Sequence, residues 1–139
     1  MPKSSIANWR ASGGALEISA THSGNGVITE CVSQDGMIIC DFTLLGSAET
    51  VTINTPFKFT VIDVVMVVGN GENVASKTLT VKNNTTALSS ALSMATDKAR
   101  VATTTLDEDQ AVFSVGDNDL VLTSSAHADG GATVYISYR

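Results

Sequence analysis

Most of the residues that build chemical sites are scarce in this chain. Cysteine, histidine and proline each occur twice among 139 residues, tryptophan occurs once, and aromatic residues make up 5%. Two cysteines cannot form the dense disulfide framework of a small secreted scaffold. Lysine and arginine number 8 against 14 acidic residues, for a net charge of -6. No basic stripe exists to neutralise phosphates, which argues against nucleic acid and anionic membrane as partners. The longest apolar run, Val64 to Val68, falls far short of the roughly 20 residues that cross a bilayer as a helix. Met1-Pro2-Lys3-Ser4-Ser5-Ile6 lacks the apolar core of a secretion signal. The expectation is a protein made and used without signal-peptide export. At 43% hydrophobic and 16% charged, the chain is no disordered polar polymer.

What the chain has in quantity is β-branched residues. Threonine, valine and isoleucine supply 40 of the 139 positions, and such side chains suit a pleated surface better than a helix. The length is that of one domain. Short alternating segments recur between turns rich in Gly, Asn and Asp, which predicts an all-β fold. The expected architecture is an antiparallel β-sandwich, jelly-roll-like, with about eight or nine strands. Residues 1–26, rich in Ser, Gly, Ala and Asn, read as an extended N-terminal arm, and 27–139 as a single sandwich domain.

Asp35-Gly36 predicts a two-residue hairpin, because both positions of a type I′ turn take positive φ. Counting outward from it sets Cys31 across from Cys40 at a non-hydrogen-bonded pair, where Cα atoms approach to roughly 4.5 Å, the short edge of disulfide geometry. A bond is allowed there. Without an export signal, the expected state is two reduced thiols on the face shared with Ile38 and Phe42. The same register opposes Glu30 and Asp41, an unfavourable pairing unless well solvated or bridged by a cation.

Further along, Phe57, Phe59 and Val61 alternate with Lys58 and Thr60, and then alternation ends. Val64-Val65-Met66-Val67-Val68 is apolar on both faces, so it needs cover from a second sheet and from something beyond it. Gly69-Asn70-Gly71 lacks the following helix and third glycine of a dinucleotide fingerprint and reads as a turn. Leu88, Ala91, Leu92 and Ala95 follow helical spacing behind Thr85 or Thr86, which predicts one short capped helix. The closing strand, Ala132 to Tyr138, alternates throughout.

Chemistry is thin. His22 and His127 sit alone in small-residue loops without a partner at ligand or triad spacing. Serine and threonine abound but no nucleophile elbow surrounds them. Asp63 reads as a bulge or solvated kink. Asp107-Glu108-Asp109, Asp117-Asn118-Asp119 and Asp129 could offer oxygens to a hard cation, yet the EF-hand order is absent and solvated turns account for them. No catalytic, metal-ligating or cofactor-binding residue is expected, and the protein is read as a non-enzyme.

Several segments together resemble the small head-decoration (cement) proteins of tailed bacteriophages. These are Phe59-Thr60-Val61-Ile62-Asp63-Val64-Val65-Met66-Val67, the Gly-Asn turn, Leu79-Thr80-Val81-Lys82-Asn83, Ala95 to Val101 with Thr104-Thr105-Leu106-Asp107, Asp119 to Thr123, and Thr133-Val134-Tyr135-Ile136. They span roughly the C-terminal 80 residues. Asn8-Trp9-Arg10 and Gly13-Gly14 add a looser similarity of an arm leading into a sandwich. The resemblance implies a domain that binds the exterior of a capsid built from the major capsid protein of the same phage. It also implies a homo-oligomer, a trimer by preference, made in the host cytoplasm and resident on the virion. The expected contacts are Trp9 and Arg10, residue types enriched at interface centres, with Val64, Met66 and Val68. Trp9 could equally tuck onto its own sandwich. The alternative is a carbohydrate- or receptor-binding module of a fibre or tail.

Overall fold

A computed structural model of the chain describes residues 16–24, 26–45, 48–69, 77–125 and 129–139. Trp9, Arg10 and His127 lie outside them. In chain order the strands are β1 (Leu16–Glu17), β2 (Ser19–Ser23), β3 (Val27–Gln34), β4 (Met37–Leu45), β5 (Thr50–Asn54), β6 (Phe59–Val68) and β7 (Thr78–Asn83). They continue with β8 (Thr86–Ala87), β9 (Leu92–Ser93), β10 (Arg100–Ala102), β11 (Val112–Phe113), β12 (Leu120–Ser124) and β13 (Asp129–Tyr138), with one 3-10 turn at Glu108–Gln110.

These strands form two antiparallel sheets packed as a β-sandwich. One has the order β1-β3-β4-β13-β6-β10, with β11 on the far half of β6; the other runs β2-β5-β12-β7-β8, with β9 also on β7. Among the described residues thirteen segments stand where eight or nine were expected, because five of them contain only two or three residues. Residues 16–17 and 19–23, assigned to the arm above, are β1 and β2, one strand in each sheet; residues 1–15 of the expected arm lie outside the described residues.

The predicted hairpin is present. Asp35 and Gly36 have φ of 52° and 76°, and the register sets Val32 on Ile39, Cys31 on Cys40 and Glu30 on Asp41. The carbonyl of Cys31 accepts from the Ile18 N–H at 2.9 Å, so it points away from β4, as a non-hydrogen-bonded pair requires. Glu30 and Asp41 are indeed opposed. The Thr133 hydroxyl donates to Asp41 Oδ1 at 3.1 Å, and a bulge between Ile28 and Glu30 loosens the strand there.

The core lies between the sheets. Ile38, Cys40 and Phe42 enter it from β4, Val64 and Met66 from β6, and Val134 and Ile136 from β13, all at 0–1% exposure. The Phe59 and Phe113 rings stack at 4.8 Å, and Phe57 stacks on Tyr138 at 5.3 Å, closing one end.

The predicted helix does not form. Thr86–Ala87 and Leu92–Ser93 are short strands paired with β7, and the buried apolar side chains are Leu88, Leu92 and Met94 while Ala91 is exposed. Positions four apart share a face in a strand as well as in a helix. Met94, which the helical pattern leaves out, marks the period of two.

Candidate interaction surface

The two outer faces of the sandwich differ in chemistry. Across the sheet containing β5, β12 and β7, one outward row reads Ser23, Thr50, Thr123, Thr80 and the next Thr21, Thr52, Val121, Lys82. Hydroxyls and an ammonium suit water. Across the other sheet, the register lines up Val32, Ile39, Tyr135, Val65 and Ala102 on five neighbouring strands, with Glu17 at the β1 end. That is an apolar band on the outer side of the sheet, in which Val32 is already buried, Ile39, Tyr135 and Val65 are half-buried and Ala102 is exposed, flanked by the row Glu30, Asp41, Thr133, Val67, Arg100. The band is acidic at its β1–β3 end and carries Arg100 at its β10 end.

This band corrects one assignment made from the sequence. Val64, Met66 and Val68 are exposed by 0%, 0% and 3% and belong to the core within the subunit, so they cannot meet a partner. The outward residues of the same strand are Val65 and Val67, both half-buried. The stretch is apolar on both faces as read, but the register needed to tell the faces apart comes from β13, which pairs Val65 with Tyr135 and Met66 with Val134.

Near the other edge, a buried pair that the sequence did not connect joins β2 to the start of β5. His22 Nε2 lies 3.6 Å from Glu49 Oε1, with side chains 6% and 0% exposed. The Gly26 N–H donates to the same Oε1 at 2.9 Å. Ser124 holds the Glu49 backbone, its Oγ accepting from the Glu49 N–H at 3.0 Å and its own N–H donating to the Glu49 carbonyl at 2.9 Å. Neither ring nitrogen of His22 makes a hydrogen bond. An imidazole beside a carboxylate is the orienting half of a nucleophilic triad, but this one is walled in by Gly26, whose Cα faces the imidazole so closely that a Cβ would overlap Cε1. No substrate reaches it in this conformation. Its evident work is to tie the β2–β3 connection to β5. The only sequence signal for it was an acidic residue just ahead of a strand, since pairing of His22 with Val51 is a property of the sheet.

Several polar side chains in and around the acidic loops bond within the protein. Asp107 Oδ1 accepts from the Asp109 N–H at 3.0 Å and caps the 3-10 turn. Asn118 Nδ2 donates to Asn83 Oδ1 at 3.0 Å, and Asn83 Nδ2 donates to the carbonyl of Gln110 at 2.9 Å. Asp63 Oδ1 accepts from the Val64 N–H at 2.9 Å. Among the described residues no three His, Cys, Asp or Glu side chains gather as metal ligands. No helix is long and apolar enough to cross a membrane among them.

Cys31 and Cys40 are adjacent, unbonded and buried, at 7% and 0% exposure. A hydrogen bond to Cys31, and then burial, hold the Cys40 thiol well above its ordinary range. Cys31 borders a depression of about 440 Å³ at the open rim between β2 and β3, with Glu17, Ile18, Ala20, Ile28 and Glu30 around it. Neither a protein-family model nor a curated protein nor a solved structure matches the chain.

Proposed function

We propose that the protein is a non-enzymatic structural component of a phage virion, binding the outer surface of the capsid and stabilising the shell. The resemblance of its strand-and-turn pattern to head-decoration proteins supports the reading. The observation that carries it in the structure is the half-buried apolar band from Ile39 to Ala102 on an outer sheet face. Apolar side chains on an outer face gain by being covered, and subunits of a trimer or the shell itself would provide the cover. No catalysis and no cofactor enter the mechanism. A protein that binds the assembled lattice and not its separated subunits stabilises the lattice by its binding free energy at every site.

The test is co-sedimentation with shells assembled from the major capsid protein of the same phage. The expected outcome is saturable pelleting with the shells and a higher temperature of shell disruption. Protein that stays in the supernatant with intact shells would overturn the reading.

A further inference from the structure

The geometry points to Cys31 and Cys40 as a redox latch: a thiol pair that closes to a cross-strand disulfide by exchange with a small, cationic disulfide entering the groove beside Cys31. This inference does not depend on the capsid reading.

Three observations carry it. The pair is opposed in register, and the Cys31 carbonyl, bonded to Ile18 N–H at 2.9 Å, shows that it is the non-hydrogen-bonded kind. Side chains at such pairs approach most closely, within reach of a disulfide. Second, access is unequal. Cys31 borders the depression at the sandwich rim, whereas Cys40 is fully buried. The first attack must therefore come from Cys31, and the tightly held proton of Cys40 agrees with that order. Third, Glu17 and Glu30 line the same depression from the outer side of the sheet. Two carboxylates there attract a cation and repel an anion.

The exchange balances without any further oxidant. The Cys31 thiolate attacks one sulfur of cystamine, whose S–S bond breaks. A mixed disulfide forms on Cys31, and the first cysteamine leaves as a thiolate that takes up a proton. Cys40 then gives up its proton and attacks Sγ of Cys31, displacing the second cysteamine. Two protein thiols have been oxidised and one small disulfide reduced to two thiols. The closed bond would fasten β3 to β4. That matters because, among the described residues, β1 pairs with β3 at Val32 and Ser33 while Val27 to Glu30 lie beyond that pairing on a bulged stretch.

The experiment treats the folded, reduced protein with cystamine and, separately, with oxidised glutathione, which is anionic, and follows intact mass and free thiols. The expected product with cystamine is the unadducted protein lighter by two hydrogens, formed at least about tenfold faster than with glutathione. It should also show slower amide exchange in Val27–Gln34. The Cys40→Ser variant should stop at a single cysteamine adduct, and Cys31→Ser should take none while folded. The proposal is overturned if the wild-type protein accumulates adducts on both thiols, or if its thiols react only after unfolding. Equal rates with the two reagents would remove the part assigned to Glu17 and Glu30. The wild-type mass measurement stands even if a serine variant does not fold.

Discussion

A buried carboxylate needs partners on every side, and at Glu49 those partners leave no room for change. Gly26 donates to its Oε1 while lying against the His22 ring and the Thr43 carbonyl, and a Cβ at Gly26 would overlap both. The Thr43 oxygen is backbone and cannot swing aside. Gly26→Ala should therefore lower stability by about 3 kcal/mol, read from urea denaturation at equilibrium. A loss below about 0.5 kcal/mol would show that the connection is free to move. Asn83 makes a second such test. Its amide bridges the Gln110 carbonyl and the Asn118 side chain, so Asn83→Ala strands buried polar atoms and should cost about 2 kcal/mol. The sequence shows both residues but neither partnership. His22 reads as an isolated loop histidine because Glu49 reaches it only through pairing of β2 with β5, and Asn118 reads as part of an acidic turn because Asn83 is distant along the chain.

Strands differ in how much of themselves they reveal. The β3–β4 hairpin was legible down to its register, since Asp35-Gly36 dictates the turn locally and alternation on both arms agrees with it. The segment from Thr86 to Met94 was not, since its apolar spacing satisfies a helix and an extended chain alike, and pairing with β7 decides the matter. On β6 the burial was legible and the direction was not. Met66 and Val65 are adjacent, yet one is in the core and the other on the outer band. Met66→Ala should cost about 3 kcal/mol as a cavity. Val65→Lys should change monomer stability by no more than about 1 kcal/mol, while abolishing whatever association the band supports. Thermal unfolding of each variant beside its molar mass in solution separates the two effects.

For the molecule as a whole, the unequal outer faces decide what can be asked of it. One face is threonine-rich and the other carries the Ile39-to-Ala102 band, so contacts are expected on the second. If the protein is the capsid component proposed above, light scattering coupled to size exclusion should give a trimer mass across a range of concentrations, and Val65→Lys should return it to a monomer. On that reading a wild-type monomer would leave the band to a shell contact, and shell binding by Val65→Lys at wild-type strength would remove the band from the interface altogether. By itself the sequence determined the class of fold, the hairpin and the acidic net charge, because strand propensity, turn chemistry and charge are local or additive properties of residues. Only the tertiary structure decided which valines of β6 face out, that His22 meets Glu49, and that residues 16–23 belong to the sheets. Those depend on pairing between strands far apart in the chain, and a shift of one residue in that pairing exchanges the inside of a strand for its outside.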